Sequence, residues 1–560
     1  MNHDPSSSNA IKYPPLCGGT SIRLIRLEPG SASDLLAIKL ASVSSRDFLE
    51  YDALSYVWGD QSDTRSITCN GQYIKITASL FWGLYRVRTP REPRYIWADA
   101  ICINQQDLQE RSSQVAMMGK IYSEARTVYI CFGESRNDDD LLVRDLLARA
   151  VQYFPAGNPE VFDTGHHLRS DPGWWPLACL SRRSWFQRVW VVQEAGLARN
   201  PRVLYGRVEF GYRDLIDVMN WKTQFTWAPR DQSWIVHRIW SDWSKIPQAP
   251  GMTFLDLLSH SCYLEWKDPR DHIYAFLGHP LAMMKNGTKL LVEPDYSKEP
   301  FQVYLEATQV LLEEFGLRVL SLVEHNELTI AEASPSWALR WDAFQVMNDI
   351  DRGPERFRAS SDLEASFKFH GHRLHIQGIF VDTIRHSLDI MIHHEEIAFR
   401  LGSNVITMLQ VMEFLRPHFG DSTSQALLAT LFPVRSEIET SLQASFEHLA
   451  EALSVGWDSS EGVDPSMREK MKICWDAIAA YAPGRRLVLT ERGCLALVPK
   501  LAQPGDVCCV LIGANIPCVL RPCPGGHRIL GEAYVYQFMN GEVKARVSRG
   551  ELKVNEIVLY

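Results

Sequence analysis

The chain has 560 residues, 46% of them hydrophobic and 22% charged, with 58 Lys and Arg against 67 Asp and Glu for a net charge of −9. That length exceeds one ordinary core and implies two or three domains, while the acidic balance without a block of like charges argues against a general nucleic-acid surface. No apolar run reaches the roughly eighteen residues of a membrane helix; the best, Val507 to Leu520, is interrupted by Gly513, Asn515 and Pro517.

Residues 1–19 read as a disordered leader, polar and Ser-rich at Met1 to Asn9, without the apolar centre of a signal peptide. Twelve cysteines without a CxxC pair read as reduced thiols, so a cytoplasmic location is expected. Ser21 to Leu27 predicts a strand with Leu35 to Leu40 as its partner, and Tyr51 to Trp58 predicts a buried strand closed by Gly59-Asp60. Ile67 to Ile76 reads as a hairpin turning at Asn70-Gly71. Ser79 to Val87 has helical spacing, and Tyr95 to Ile101 reads as a second buried strand, carrying Asp99 near its end.

The clearest helix follows: Val115, Met118, Ile121, Tyr122 and Ala125 recur at intervals of three and four. Val128 to Phe132 is a third strand, stopped by Gly133. The strand–helix alternation predicts a mostly parallel sheet with helices on its faces. Asp138 to Asp140 opens another helix, a loop follows around 163–173, and Trp174 to Leu180 and Ser184 to Leu197 read as helical segments. Beyond Pro201 the chain reads as mainly helical to about Leu339, including a short helix with Asp268 as cap, Pro269 in the first turn and Gly278 as stop. Residues 354–366 and 455–466 read as polar linkers. From Arg485 onward, closely spaced strands predict a small β-barrel or curled sheet.

Three clusters carry candidate chemistry, each with a plainer structural reading. At Trp58-Gly59-Asp60 the glycine lets backbone amides approach a phosphate and the indole offers a stacking face; equally, this is a strand stop with Trp58 in the core. Asp99, followed by Asn104, is costly to bury unless paired; the plain version is an aspartate satisfied by the next helix, with Asn104 as that helix's cap. Glu194 lies among Trp185, Phe186 and Trp190, where its charge is disfavoured unless Arg183 or Arg188 is close. The plain version is a helix-surface glutamate paired with one of those arginines, and Glu110-Arg111 has the same plain version.

Cys518, Cys523 and His527 lack a standard zinc spacing, and His370-Gly-His372 and the run His393 to Glu396 read as solvated surface, so no metal is expected. The chain has no GxxxxGK[ST], no GxGxxG after a strand, no GxSxG and no HExxH, which removes the main supports for P-loop, dinucleotide-fold, serine-hydrolase and zinc-peptidase chemistry.

The same clusters resemble the fungal heterokaryon incompatibility (HET) domain family: Tyr51-Asp-Ala-Leu-Ser-Tyr-Val-Trp-Gly59, Ile96-Trp-Ala-Asp-Ala-Ile-Cys-Ile-Asn-Gln105, Glu110-Arg111 through Tyr122, and Arg188 through Gln193-Glu194. Asp268 through Gly278, Pro294-Asp-Tyr296, Pro335-Ser-Trp337 and Gly531 through Glu542 are similar to downstream landmarks of long members. On this resemblance residues 20–205 form the HET domain, with core motifs at 51–194. They are followed by a mainly helical region (206–345), a mixed α/β region with linkers (346–480) and a β-rich region (481–560).

The resemblance implies a role in fungal non-self recognition and programmed cell death. Tyr51-Asp-Ala-Leu-Ser-Tyr is also similar to the first strand of Toll/interleukin-receptor-type (TIR) domains, and Ser184-Trp185 through Glu194 is similar to the region holding the catalytic glutamate of NAD-cleaving TIR domains. That likeness implies a TIR-like fold with NAD as a substrate rather than a bound cofactor. Glu194 is then the catalytic glutamate, holding the ribose hydroxyls and stabilising the developing positive charge, with Trp58, Gly59, Asp60, Asp99, Asn104 and Trp190 lining the substrate site. The rival class is a non-catalytic death-signalling adaptor, acting by self-association or on an incompatibility partner, in which Trp58, Asp99 and Glu194 form a buried network.

Overall fold

The computed structural model describes residues 11–16, 18, 20–44, 49–156, 167–223, 253–261, 264–284, 290–342, 350, 357–393, 396–433, 445–451 and 465–560. The expected leader at 1–10, residues 163–166 of the expected loop, most of the expected linker 455–466 and two residues of the His393–Glu396 run lie outside them. The chain divides into two compact units, Met1–Pro300 and Phe301–Tyr560.

The first unit is built on a nine-stranded sheet of β1 (Ser21–Leu27), β2 (Ala37–Ser44), β3 (Asp52–Tyr56), β4 (Thr64–Cys69), β5 (Gln72–Thr77), β6 (Arg94–Trp97), β7 (Val128–Gly133), β8 (Pro201–Tyr205) and β9 (Val208–Gly211). Their spatial order is β5-β4-β2-β1-β6-β3-β7-β8-β9. Strands β6, β3, β7 and β8 run parallel, while β1 pairs antiparallel with β2 and β6, as β4 does with β5 and β8 with β9. The sheet is therefore mixed, not mostly parallel. Short connections can join only antiparallel neighbours, and three of them flank the parallel centre. One is the hairpin β4–β5, where Asn70 and Gly71 take φ of 51° and 80°, the left-handed pair a two-residue turn requires.

Helices α1 (Ala78–Val87), α2 (Asp99–Cys102), α3 (Leu108–Glu124), α4 (Asp139–Ala150), α5 (Trp174–Ser181), α6 (Val191–Gly196) and α7 (Tyr212–Thr223) belong to this unit. Two expected boundaries move. The second strand stops at Trp97 and Asp99 opens α2, because a short apolar run does not distinguish a strand end from a helix start. The segment from Ser184 is a 3₁₀ turn over Ser184–Gln187 and then α6 after a break at Arg188. The stretch after Pro201, expected to be helical, opens with the hairpin β8–β9.

In the second unit eleven strands follow: β10 (Phe367–His370), β11 (Arg373–His393), β12 (Glu396–Leu401), β13 (Asn404–Ile406), β14 (Arg485–Thr490), β15 (Leu495–Pro499), β16 (Val507–Leu511), β17 (Cys518–Cys523), β18 (Gly526–Glu532), β19 (Tyr534–Val535) and β20 (Val554–Leu559). Strands β16, β17, β18, β20 and β11 close on themselves, since β11 pairs with both β20 and β16. The ring encloses Ile379, Val381, Cys508, Val510, Val519 and Leu530, all buried. Of the expected linker 354–366, Phe357, Ala359 and Ser360 are buried, and the Ala359 amide donates to the Asn515 carbonyl at 2.7 Å. Polar composition hid a core segment there.

Candidate site at the ends of strands β3 and β6

Adjacent residues of a strand point to opposite faces, and β3 ends with two hydroxyls, each holding a different acid. The Ser55 hydroxyl donates to Glu194 Oε2 at 2.5 Å and accepts the Trp185 indole N–H at 2.9 Å. The Tyr56 hydroxyl donates to Asp99 Oδ1 at 2.9 Å. The second oxygen of Asp99 takes the Trp58 indole N–H at 2.8 Å, and Oδ1 also accepts the Ala100 amide at 2.8 Å. Three segments far apart in sequence thus meet at one end of β3.

Glu194 is 2% exposed. Burial pushes its carboxyl up to about 7, Asp99 adds to the rise, and Arg188 and the Ser55 hydroxyl oppose it. The plain expectation of a surface glutamate is overturned: α6 is short and carries Glu194 buried, on the Ser55 hydroxyl that also takes the Trp185 indole. Arg188 is its cationic neighbour and donates to the Tyr56 carbonyl. Arg183 instead donates to the carbonyls of Phe132 and Glu134.

A cavity of about 800 Å³ opens beside these groups. Trp58, Gly59, Asp99, Arg188 and Trp190 line it on one side. Gly59 has φ of +69°, a conformation that glycine adopts without strain. Three expected site residues are not on the wall. Glu194 lies behind it. Asp60 is exposed and closes its own turn by accepting the Ser62 amide at 2.8 Å. Asn104 accepts the Gln106 amide at 3.3 Å, and the cap of α3 is not Asn104 but Asp107, which takes the amides of Gln109 and Glu110 at 3.1 and 3.0 Å.

The opposite wall was not among the expected site residues. It comes from Glu265, Trp266, Lys267, Asp268, Arg270, Asp271 and Tyr296, together with Arg111 of α3. Asp271 is 5% exposed. It accepts the Trp190 indole N–H at 3.0 Å and the Tyr296 hydroxyl at 2.6 Å. Burial pushes its carboxyl up to about 6, against those two hydrogen bonds. Arg111 stacks 3.6 Å from the Tyr296 ring centre and reaches Asp268 at 3.3 Å. Lys267 stands 5.7 Å from the Trp58 ring centre. Glu110, the neighbour of Arg111, forms a pair with Arg23 at 2.9 Å that ties α3 to β1, so neither member of Glu110-Arg111 is a plain surface residue. The motif Asp268-Pro-Arg-Asp271 and the segment Pro294-Asp-Tyr296 were the available signals, read as landmarks rather than as site.

Within the same unit this wall is tied to the sheet and its helices by hydrogen bonds from main-chain amides. The Glu265 amide donates to the Gln187 carbonyl at 2.5 Å, and the Val189 amide to the Glu265 carbonyl at 3.0 Å. The Tyr296 amide donates to the Ser112 hydroxyl at 3.1 Å. Gly119 and Gly278 face each other so closely that a Cβ on Gly119 would sit 2.5 Å from the Gly278 Cα. Among the described residues no group of three His, Cys, Asp or Glu side chains is arranged to hold a metal ion, and no helix is long and apolar enough to cross a membrane.

The family model for heterokaryon incompatibility protein (HET) matches residues 51–194, the span that carries β3, β6, α3 and α6. The family model for the Het-6 beta-barrel domain matches residues 466–554, which hold the ring strands β16, β17 and β18 but not β11 and, of β20, only Val554. The chain thus carries a HET domain followed by a Het-6 beta-barrel domain. It is similar to heterokaryon incompatibility protein 6, OR allele, of Neurospora crassa, with 24% identity over 95% of each chain. No solved structure matches.

Proposed function

We propose that this heterokaryon incompatibility protein acts in fungal non-self recognition by cleaving the nicotinamide–ribose bond of NAD, or of a related nucleotide, in the cavity beyond β3 and β6, and that the loss of nucleotide arrests or kills fused cells. The observation that carries this reading is the convergence of two acids, Glu194 and Asp99, on the end of β3 beside a cavity walled by indoles. In the reaction the C1′–N1 bond breaks and its electron pair returns to the pyridinium nitrogen, which leaves as neutral nicotinamide. Water adds to the oxocarbenium-like C1′ and gives up a proton.

A carboxyl held near 7 is matched to taking that proton at neutral pH. Asp99 orients the ribose, Trp58 or Trp190 stacks on a ring, and the Gly59 backbone borders the phosphates. Arg188 lines the cavity and is the cation beside Glu194. Asp60 and Asn104, engaged in their own turns, have no part.

Purified full-length protein at high concentration is expected to release nicotinamide from NAD. Glu194→Gln, which keeps the side-chain volume, is expected to lower turnover by about 10²- to 10³-fold, as loss of one preorganised electrostatic group does. Unchanged turnover in the variant overturns the assignment. One observation favours the adaptor reading: Glu194 is 2% exposed and off the cavity wall, as in a network that holds the fold. Absence of nicotinamide release by the wild type, with large losses of melting temperature for Trp58, Asp99 and Glu194 variants, selects a self-associating or partner-binding adaptor.

A further inference from the structure

Both indoles on the HET-matched wall are met by side chains from outside the matched segment. Trp190 gives its N–H to Asp271, and the Trp58 ring lies under Lys267. The second oxygen of Asp271 is held by Tyr296, whose ring is covered by Arg111 and, at 5.1 Å, by Arg270. Tyr296 is therefore fully engaged, and Asp271 joins the two walls rather than facing a ligand with free oxygens. Lys267 differs from its neighbours. Arg270 is bonded to Asp268 at 2.8 Å and to the carbonyls of Tyr296 and Lys298, whereas among the described residues the exposed Lys267 ammonium meets only the Trp58 ring.

An ammonium above a ring, with no carboxylate partner, is placed to receive an anion attached to whatever stacks on that ring. Resting on the nucleotide reading above, we infer that the segment Glu265–Tyr296 completes the ligand site. Asp271 is the positioning residue that orients Trp190, and Lys267 receives the phosphate of a flat-ringed, phosphate-bearing ligand above Trp58. The HET-matched residues alone then form an open half-site.

Quenching of intrinsic tryptophan fluorescence in the full-length chain tests this, with ADP-ribose and adenosine as probes. Lys267→Gln is expected to weaken ADP-ribose about threefold to tenfold and leave adenosine unchanged, the loss of one charge-assisted contact. Asp271→Asn turns an amide N–H toward one of its two donors and is expected to weaken both probes about tenfold. If Asp271 acts through Trp190, that weakening disappears in a Trp190→Phe background; a merely structural role gives additive losses. Additivity, or wild-type affinity in either single variant, overturns the inference. Should Asp271→Asn fail to fold, the exposed Lys267→Gln still decides through its selectivity between the probes. Binding without nicotinamide release leaves the inference standing and removes the hydrolytic reading. NAD cleavage with unaltered KM in both variants does the reverse, and a wild type that binds neither probe overturns both.

Discussion

Ser55 and Glu194 share a 2.5 Å hydrogen bond in which the serine is donor, while the same serine oxygen accepts from Trp185 at 2.9 Å. The chain of donors runs indole to hydroxyl to carboxyl, so the hydroxyl proton is committed to Glu194. Ser55→Ala removes a donor from Glu194 and an acceptor from the buried Trp185 N–H. The expected cost is about 1–3 kcal/mol, read by urea denaturation, together with a further rise of the Glu194 carboxyl followed by carboxyl infrared titration.

The pH dependence of stability has a definite sign. Glu194 moves from an ordinary 4.5 to about 7 on folding, and Asp271 from 3.8 to about 6. Between those limits the folded chain binds more protons than the unfolded one. The contribution of Glu194 is complete below 4.5 and is lost as pH rises through 7. Relative to Glu194→Gln, the wild type is expected to lose on the order of 3 kcal/mol between those pH values. Equal denaturation midpoints for the two proteins across pH 4.5 to 8 contradict this.

Asp99 is held by Tyr56, Trp58 and the Ala100 amide. Tyr56→Phe removes one donor and leaves two, so a loss of about 1 kcal/mol is expected. Trp58→Phe exposes the other oxygen to the cavity and should also abolish the Lys267-dependent selectivity between probes. Thermal melting and the fluorescence assay read these separately.

Gly119→Ala places a methyl against backbone rather than against a movable side chain, 2.5 Å from the Gly278 Cα. The expected cost is about 1–3 kcal/mol, accompanied by weakened ligand binding because the wall carrying Lys267 and Asp271 is displaced. Wild-type affinity and melting temperature in this variant would show that the two segments separate without consequence.

In the barrel unit, Arg485 and Glu532 form an ion pair with side chains 7% and 5% exposed, and Glu532 also accepts the Ile350 amide at 2.6 Å. Glu532→Ala removes the carboxylate from a buried guanidinium and is expected to cost about 3–5 kcal/mol. The double replacement Arg485→Met with Glu532→Leu should recover most of that loss, as measured by guanidinium denaturation.

Local signals carried the sequence reading a long way. Helix α3 was legible because Val115, Met118, Ile121 and Tyr122 repeat at helical spacing and are all buried; the β4–β5 hairpin was legible from Asn70-Gly71. What escaped were features set by distant contacts. Strand β8 begins with Pro201 and pairs with β7 across a long connection, and nothing local announces that partner. Arg373 to His393 mixes histidine, arginine and aspartate with apolar residues, so its length as one strand was hidden. Trp58, Gly59, Asp99 and Trp190 were legible as wall residues because each follows or ends an apolar run. Asp271 and Lys267 were not, because their place beside Trp190 and Trp58 depends on two glycines about 160 residues apart touching, a tertiary fit that local sequence patterns do not encode.

Strand β11 has one further consequence. Its residues 374–379 border β20 and its residues 378–383 border β16, so it is the seam of the ring. A fragment limited to residues 466–554 would lack that stave and most of β20, leaving β16 with a bare row of amides and carbonyls. Such an edge recruits strands from other molecules, and the fragment is expected to clump on expression until a peptide spanning 373–393 is supplied to cover the β16 edge.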